Sequence, residues 1–146
     1  MKKYQVLIRE SLSLSTRKYD LQMKMCYNNI FNFCLMNGES LRSKKYKICY
    51  GFVKSKNMGL GIRHAFLLDT EKNKILDPTL KFFIDKEYSN YYIFKIFEDS
   101  NEYFNYIIEE EYPALYKSLE KDQKEFQKHF LPKDFNVVMD VLPMSN

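Results

Sequence analysis

The chain has 146 residues, a length that fits one domain (1–146) able to bury a core without metals or disulfides. With 45% hydrophobic residues, 12 Phe, 12 Tyr and a net charge of +4, the composition excludes a disordered chain and a fibrous repeat. No apolar run approaches the roughly 20 residues needed to cross a bilayer, and Gln5, Arg9 and Glu10 interrupt the N-terminus, so neither membrane insertion nor Sec export is expected.

Residues 4–14 fit a helix through Tyr4, Leu7, Ile8 and Leu12, or a strand through Tyr4, Val6 and Ile8; the helix is preferred. A polar loop with Ser13, Ser15, Thr16 and Asp20 follows. Residues 25–36 then place Met25, Cys26, Ile30, Phe33 and Cys34 at helical spacing, and Asn37-Gly38 predicts the helix C-cap. The run 46–54 is rich in β-formers and predicts a strand, in which Gly51 marks a bulge or a close backbone approach. Two further strands are predicted at 63–69 and 74–77, and a third, aromatic and β-branched, at 91–97. Asp99 and Glu102 form a capping-box pattern that opens a helix over roughly 100–111, with Tyr103, Phe104, Ile107 and Ile108 on one face. Pro113 suits the first turn of another helix, carrying Leu115, Leu119, Phe126 and Phe130 toward Pro132, with His129 as a charge near its C-terminal end. Residues Phe135 to Leu142 could add an edge strand. No repeat or linker divides the chain, and this order of elements indicates an α+β fold with helices packed on an antiparallel sheet.

Charge is distributed unevenly. Residues 1–64 hold 13 Lys/Arg against 3 Asp/Glu, while residues 65–146 hold 10 against 16. The two halves can neutralise each other by packing together, or the first can present a basic face to an anionic partner. Arg42, Lys44, Lys45 and Lys47, interleaved with Tyr46 and Tyr50, leave a nucleic-acid contact open, although no nucleic-acid motif supports it. Cys26, Cys34 and Cys49 are odd in number, widely spaced and without a CxxC pair, so reduced thiols and a cytoplasmic setting are expected. His64 and His129 are the only histidines, too few for a metal site by local spacing, and no cofactor is implied.

One constellation carries chemistry: Cys26 at the start of a predicted helix, His64 at the start of a strand and Asp77 at the end of the next. A helix N-terminus lowers a thiol pKa and offers backbone N–H groups to an oxyanion, so Cys26 sits where a nucleophile is most easily activated. If the loop of the hairpin after His64 is Asp69-Thr70-Glu71-Lys72, paired residue numbers sum to 141 and His64 lies opposite Asp77. Facing Cβ atoms are then about 4.5–5.5 Å apart, close enough for the carboxylate to orient the imidazole. A two-residue loop at Lys72-Asn73 would misalign the pair. Against this stand structural readings: a lone Cys on an apolar helix face is usually a small core residue, as Cys34 and Cys49 are expected to be, and an Asp before Pro often only starts a turn.

Cys26-Tyr27-Asn28-Asn29 opening a helix, Tyr50-Gly51-Phe52 on a strand, His64-Ala65-Phe66 and Asp77-Pro78-Thr79 together resemble the transglutaminase-like branch of the papain-like cysteine enzymes. The resemblance covers about residues 22–80. It implies a core in which an N-terminal helix carrying Cys packs on an antiparallel sheet carrying His and Asp. It also implies a Cys26-His64-Asp77 triad acting through a thiol acyl-enzyme on a protein or peptide substrate, in hydrolysis, glutamine deamidation or transfer to an amine. By analogy Gln22, ahead of the nucleophile, is a candidate oxyanion donor, and Tyr50 is a second hydrogen-bond candidate. The family often has Trp where Phe66 stands and small residues where Asn28 and Asn29 follow the nucleophile. The alternative is a binding or inhibitory protein on the same fold, meeting an anionic partner through Lys44, Lys45, Lys47, Lys54 and Lys56.

Overall fold

The computed structural model describes residues 2–23, 25–54, 61–83, 90–110, 121 and 138–140. Four antiparallel strands form the sheet: β1 (Tyr46–Lys54), β2 (Gly61–Asp69), β3 (Lys74–Leu76) and β4 (Asn90–Ile96), in the order β3-β2-β1-β4. A short β5 (Val138–Asp140) pairs parallel to the first residues of β2, beside the stretch that β3 leaves open. Helices α1 (Ile8–Leu12), α2 (Thr16–Tyr19), α3 (Cys26–Met36) and α4 (Gly38–Arg42) precede the sheet, and α5 (Ser100–Glu110) follows β4. No helix among the described residues is long and apolar enough to cross a membrane. The expected helix after Pro113, with His129, lies outside the described residues, as does Lys56.

The aromatic content forms the core on two sides of the sheet. Helix α3 buries Tyr27, Ile30, Phe33 and Cys34 against Ile48, Tyr50, Ala65, Leu67, Phe97 and Tyr103. The alternate residues of the same strands, among them Cys49, Phe66 and Leu68, pack with Ile75, Leu80 and Tyr91. Each large side chain fully withdrawn from water contributes about 1.5–3 kcal/mol, which is why α3 holds to the sheet although Met25 at its N-cap supplies no side-chain hydrogen bond. In α5, Asp99 caps the helix by accepting from the Glu102 N–H at 2.9 Å. Tyr103 and Ile107 face inward, but Ile108 is exposed and does not join the expected apolar face.

One departure from expectation shapes the site. The preferred helix over 4–14 forms only from Ile8; residues 4–7 are extended, as the strand alternative had it. Tyr4 exchanges both backbone hydrogen bonds with Tyr91 at the start of β4, at 2.9 and 3.0 Å. One and three residues on, Gln5 and Leu7 bond the backbone of Ile75 in β3, at 2.8 and 2.7 Å. The segment thus spans the strands at opposite ends of the order β3-β2-β1-β4. At Asn37-Gly38 the helix ends as expected, with Asn37 the C-cap of α3. Asn37 takes φ −127° and its Nδ2 donates to the Phe33 carbonyl at 2.9 Å, and Gly38 begins α4. Gly51 fulfils both readings of it: the β1–β4 register slips beside it, and a Cβ there would overlap the Tyr92 carbonyl oxygen and lie 3.1 Å from the Ile93 Cα.

Candidate active site

Cys26 is the first residue of α3 and has no solvent-accessible surface. Met25 at the N-cap supplies no side-chain hydrogen bond, and the first helical bond runs from Asn29 N–H to the Met25 carbonyl at 2.7 Å. The amides of the first turn are therefore not capped by Met25 and lie beside the sulfur-bearing residue. The approach to this turn is held by the fully buried Asn29. Its Oδ1 accepts from the Gln22 N–H at 2.8 Å, and its Nδ2 donates to the Gln22 carbonyl at 2.8 Å and to Thr79 Oγ1 at 2.9 Å. An asparagine where small residues were expected thus ties the chain entering α3 to the residue two places after Asp77.

His64, on β2, lies opposite Gly51 of β1, and its Nε2 donates to Asp77 Oδ2 at 2.8 Å, with both side chains fully buried. The contact forms in a register other than the one anticipated. Leu67 faces Leu76, Leu68 faces Ile75 and Asp69 faces Lys74, so paired numbers sum to 143, and the turn is Thr70 to Asn73. Asp69 Oδ1 accepts from the amides of Glu71 and Lys72, both at 3.0 Å, and Asn73 takes φ 54°, which together set a four-residue turn. A shift of two residues leaves every side chain on its original face. Asp77, one residue past β3, therefore still reaches His64 along the diagonal.

The carboxylate is held from several directions. Tyr91 donates its hydroxyl to Asp77 Oδ2 at 2.7 Å, the Thr79 amide donates to Oδ1 at 2.9 Å, and the Asp77 amide donates to Ser11 Oγ at 3.0 Å. All of these groups are buried. Since the carboxylate accepts, Nε2 carries the proton of this bond, and Nδ1 is the ring atom left to exchange a proton with a nucleophile. Among the described residues Nδ1 has no hydrogen-bond partner. Cys26 nevertheless lies near enough for its negative charge to raise the pKa of the ring. Burial is the largest single influence on His64 and lowers its pKa; the charges of Asp77 and Cys26, with their hydrogen bonds, outweigh it and raise the value from 6.5 to about 10. The ring also has aromatic neighbours, with Phe83 at 5.1 Å, Phe66 at 6.0 Å and Tyr91 at 6.4 Å between centroids.

The structure thus brings Cys26, His64 and Asp77 together and places the other candidates differently. Gln22 exposes its side chain, and it is the backbone of this residue that the structure engages. Tyr50 is fully buried against Tyr27 and Phe97, at 5.0 and 5.2 Å between centroids. Burial, with the charges of Tyr106 and Cys26 behind it, pushes its phenol well above the ordinary range, so near the sulfur it is a neutral hydroxyl. Cys34 and Cys49 are buried core thiols, and desolvation pushes both upward. Among the described residues no group of three His, Cys, Asp or Glu side chains could hold a metal ion. Sequence reasoning missed Ser11 and Tyr91 as partners of Asp77, since they lie 66 residues before it and 14 after it; no local spacing signals either. No protein-family profile, curated protein or solved structure matches the chain.

Proposed function

We propose that this protein is a cysteine-dependent acyl-transfer enzyme, with the transglutaminase-like arrangement of a papain-like core, acting on a protein or peptide amide. The observation that carries the reading is the buried His64–Asp77 bond, with Cys26 at a helix start close enough to raise the pKa of the same imidazole. The catalytic proton rests on His64 Nδ1 and the Cys26 thiolate beside it attacks the acyl carbonyl, forming a C–S bond and an oxyanion. First-turn amides of α3 face that oxyanion. Nδ1–H then protonates the departing amine as the C–N bond breaks, which leaves a thioester on Cys26. Water or an amine, losing a proton to Nδ1, attacks the thioester and releases the thiolate. Asp77 keeps Nε2 protonated and the ring oriented throughout.

The acyl group reaches the sulfur only when a covering side chain moves, because Cys26, His64 and Asp77 have no accessible surface. Among the aromatic neighbours of His64, Phe83 is half-buried, whereas Phe66 and Tyr91 are fully buried. The test is limiting iodoacetamide at about pH 6, well below the ordinary thiol pKa of about 8.5, followed by peptide mapping, with an activated aryl ester as a second reagent. Cys26 is expected to alkylate faster than Cys34 and Cys49 and to accumulate an acyl adduct, and His64→Ala to remove both effects. If Cys26 reacts no faster than the other two thiols and His64→Ala changes nothing, the proposal fails.

A further inference from the structure

The two ends of the strand order meet across the N-terminal segment, and this closure has a chemical result. Tyr91 enters β4 with its backbone bonded to Tyr4, and Asp77 leaves β3 just after Ile75, whose backbone is bonded to Gln5 and Leu7. Only about 7 Å of extended chain separates the two attachment points. Across that gap the Tyr91 hydroxyl reaches the same carboxylate oxygen that His64 uses, at 2.7 Å against 2.8 Å. A phenylalanine would fill the same space, since the Tyr91 ring packs edge-on against Phe66 at 5.2 Å. The hydroxyl adds nothing to that packing, and burying it is unfavourable unless it is bonded.

We propose that Tyr91 is a positioning residue that sets the strength of the Asp77–His64 bond by donating its hydroxyl to Asp77 Oδ2. The inference deepens the acyl-transfer reading and rests on it for its biological meaning. A donor on Oδ2 draws off part of the negative charge that would otherwise act on the imidazolium. His64 then releases its proton to a leaving group more readily than it would beside an unshared carboxylate. Orientation does not depend on Tyr91, because the Thr79 amide holds Oδ1 and Ser11 holds the Asp77 amide. Among the described residues, the groups facing His64 from the elements packed around it are Cys26 of α3, Asp77 after β3 and Tyr91 of β4, together with the uncharged rings of Phe66 and Phe83.

The test is the NMR titration of the His64 ring in Cys26→Ala and in Cys26→Ala with Tyr91→Phe, which removes the thiol from the measurement. The expected result is a rise of roughly half to one pH unit in the His64 midpoint with Tyr91→Phe, a 3- to 10-fold gain in proton affinity. A merely structural role would lower thermal stability and leave this midpoint where it was. A fluorinated tyrosine at position 91, a stronger donor of the same shape, is expected to move the midpoint down, and it decides the matter should Tyr91→Phe fail to fold. A midpoint that stays put, or moves opposite to these directions, overturns the proposal. Failure of Cys26 to alkylate or acylate in the unsubstituted protein would instead sink the acyl-transfer reading, and the titration would still decide the role of Tyr91.

Discussion

The Asn29 clamp allows a worked prediction for Asn29→Ala. Three hydrogen bonds disappear: two to the part-buried backbone of Gln22 and one to the buried Thr79 Oγ1. Water can reach the Gln22 groups, so each of those bonds is worth about 0.5–1.5 kcal/mol, while leaving a buried polar group unsatisfied costs about 1–3 kcal/mol. The total is about 3 kcal/mol, which for a chain of this size lowers the melting temperature by roughly 10 °C. Thr79→Val, of nearly the same shape, removes only the cross-link and should cost about 1–2 kcal/mol. Because the two side chains touch, the double variant should be less destabilised than the sum of the singles, with a coupling of about 1 kcal/mol. The clamp also fixes the chain entering Cys26 relative to the segment after Asp77, so both variants should slow Cys26 alkylation at temperatures where they remain folded. Urea denaturation of the four-member cycle, with alkylation rates measured on each member, is the assay. Strict additivity together with unchanged alkylation would refute the idea that the clamp joins nucleophile to base.

Gly51→Ala should destabilise the protein by about 3 kcal/mol or more, at the top of the range for overpacking, because the added methyl meets the Tyr92 carbonyl and the Ile93 Cα, which are backbone atoms with no rotamer to change; urea unfolding checks this, and wild-type stability would mean that the β1–β4 approach is not tight. The pH dependence of stability follows from His64. Its folded pKa is raised from 6.5 to about 10, so the folded state keeps a proton that the unfolded chain loses, and the contribution is fully present below pH 6.5 and is lost as pH rises toward about 10. Unfolding free energy measured against His64→Gln should show that decline in the wild type alone; parallel curves would contradict the assignment.

Much of this site was legible because its residues sit at element ends that local patterns mark. Cys26 precedes an apolar helical stripe, and the Asp77-Pro78 pair closes a strand. The hairpin register was not legible: the sequence Asp69 to Asn73 accommodates turns of several lengths, and what decides is the pair of amide bonds to Asp69 Oδ1 and the left-handed Asn73. The face of each residue survived the two-residue error, and with it the His64–Asp77 contact, because the strand period is two. Tyr91 and Ser11 were illegible for a different reason. Their placement depends on residues 4–7 leaving the helical pattern to bond two distant strands, a tertiary gain that overrides a weak local preference.

The charge division of the sequence is resolved in part by packing. Lys47 of the basic half pairs with Glu98 at 2.8 Å, and Glu10 pairs with Lys72 at 3.8 Å, so two of the ion pairs join the halves. Exposed pairs of this kind add at most about 1 kcal/mol each, and Lys47 is no longer an unengaged member of a basic face. The ionisation of the site has another origin. The strongest charges acting on His64 belong to Asp77 and Cys26, both without accessible surface, not to the lysines of the first half. Salt screens exposed charges far more than buried ones. The proton affinity of His64 is therefore set by the groups that α3, β2, β4 and the residue after β3 bring together in the interior, not by the surface lysines.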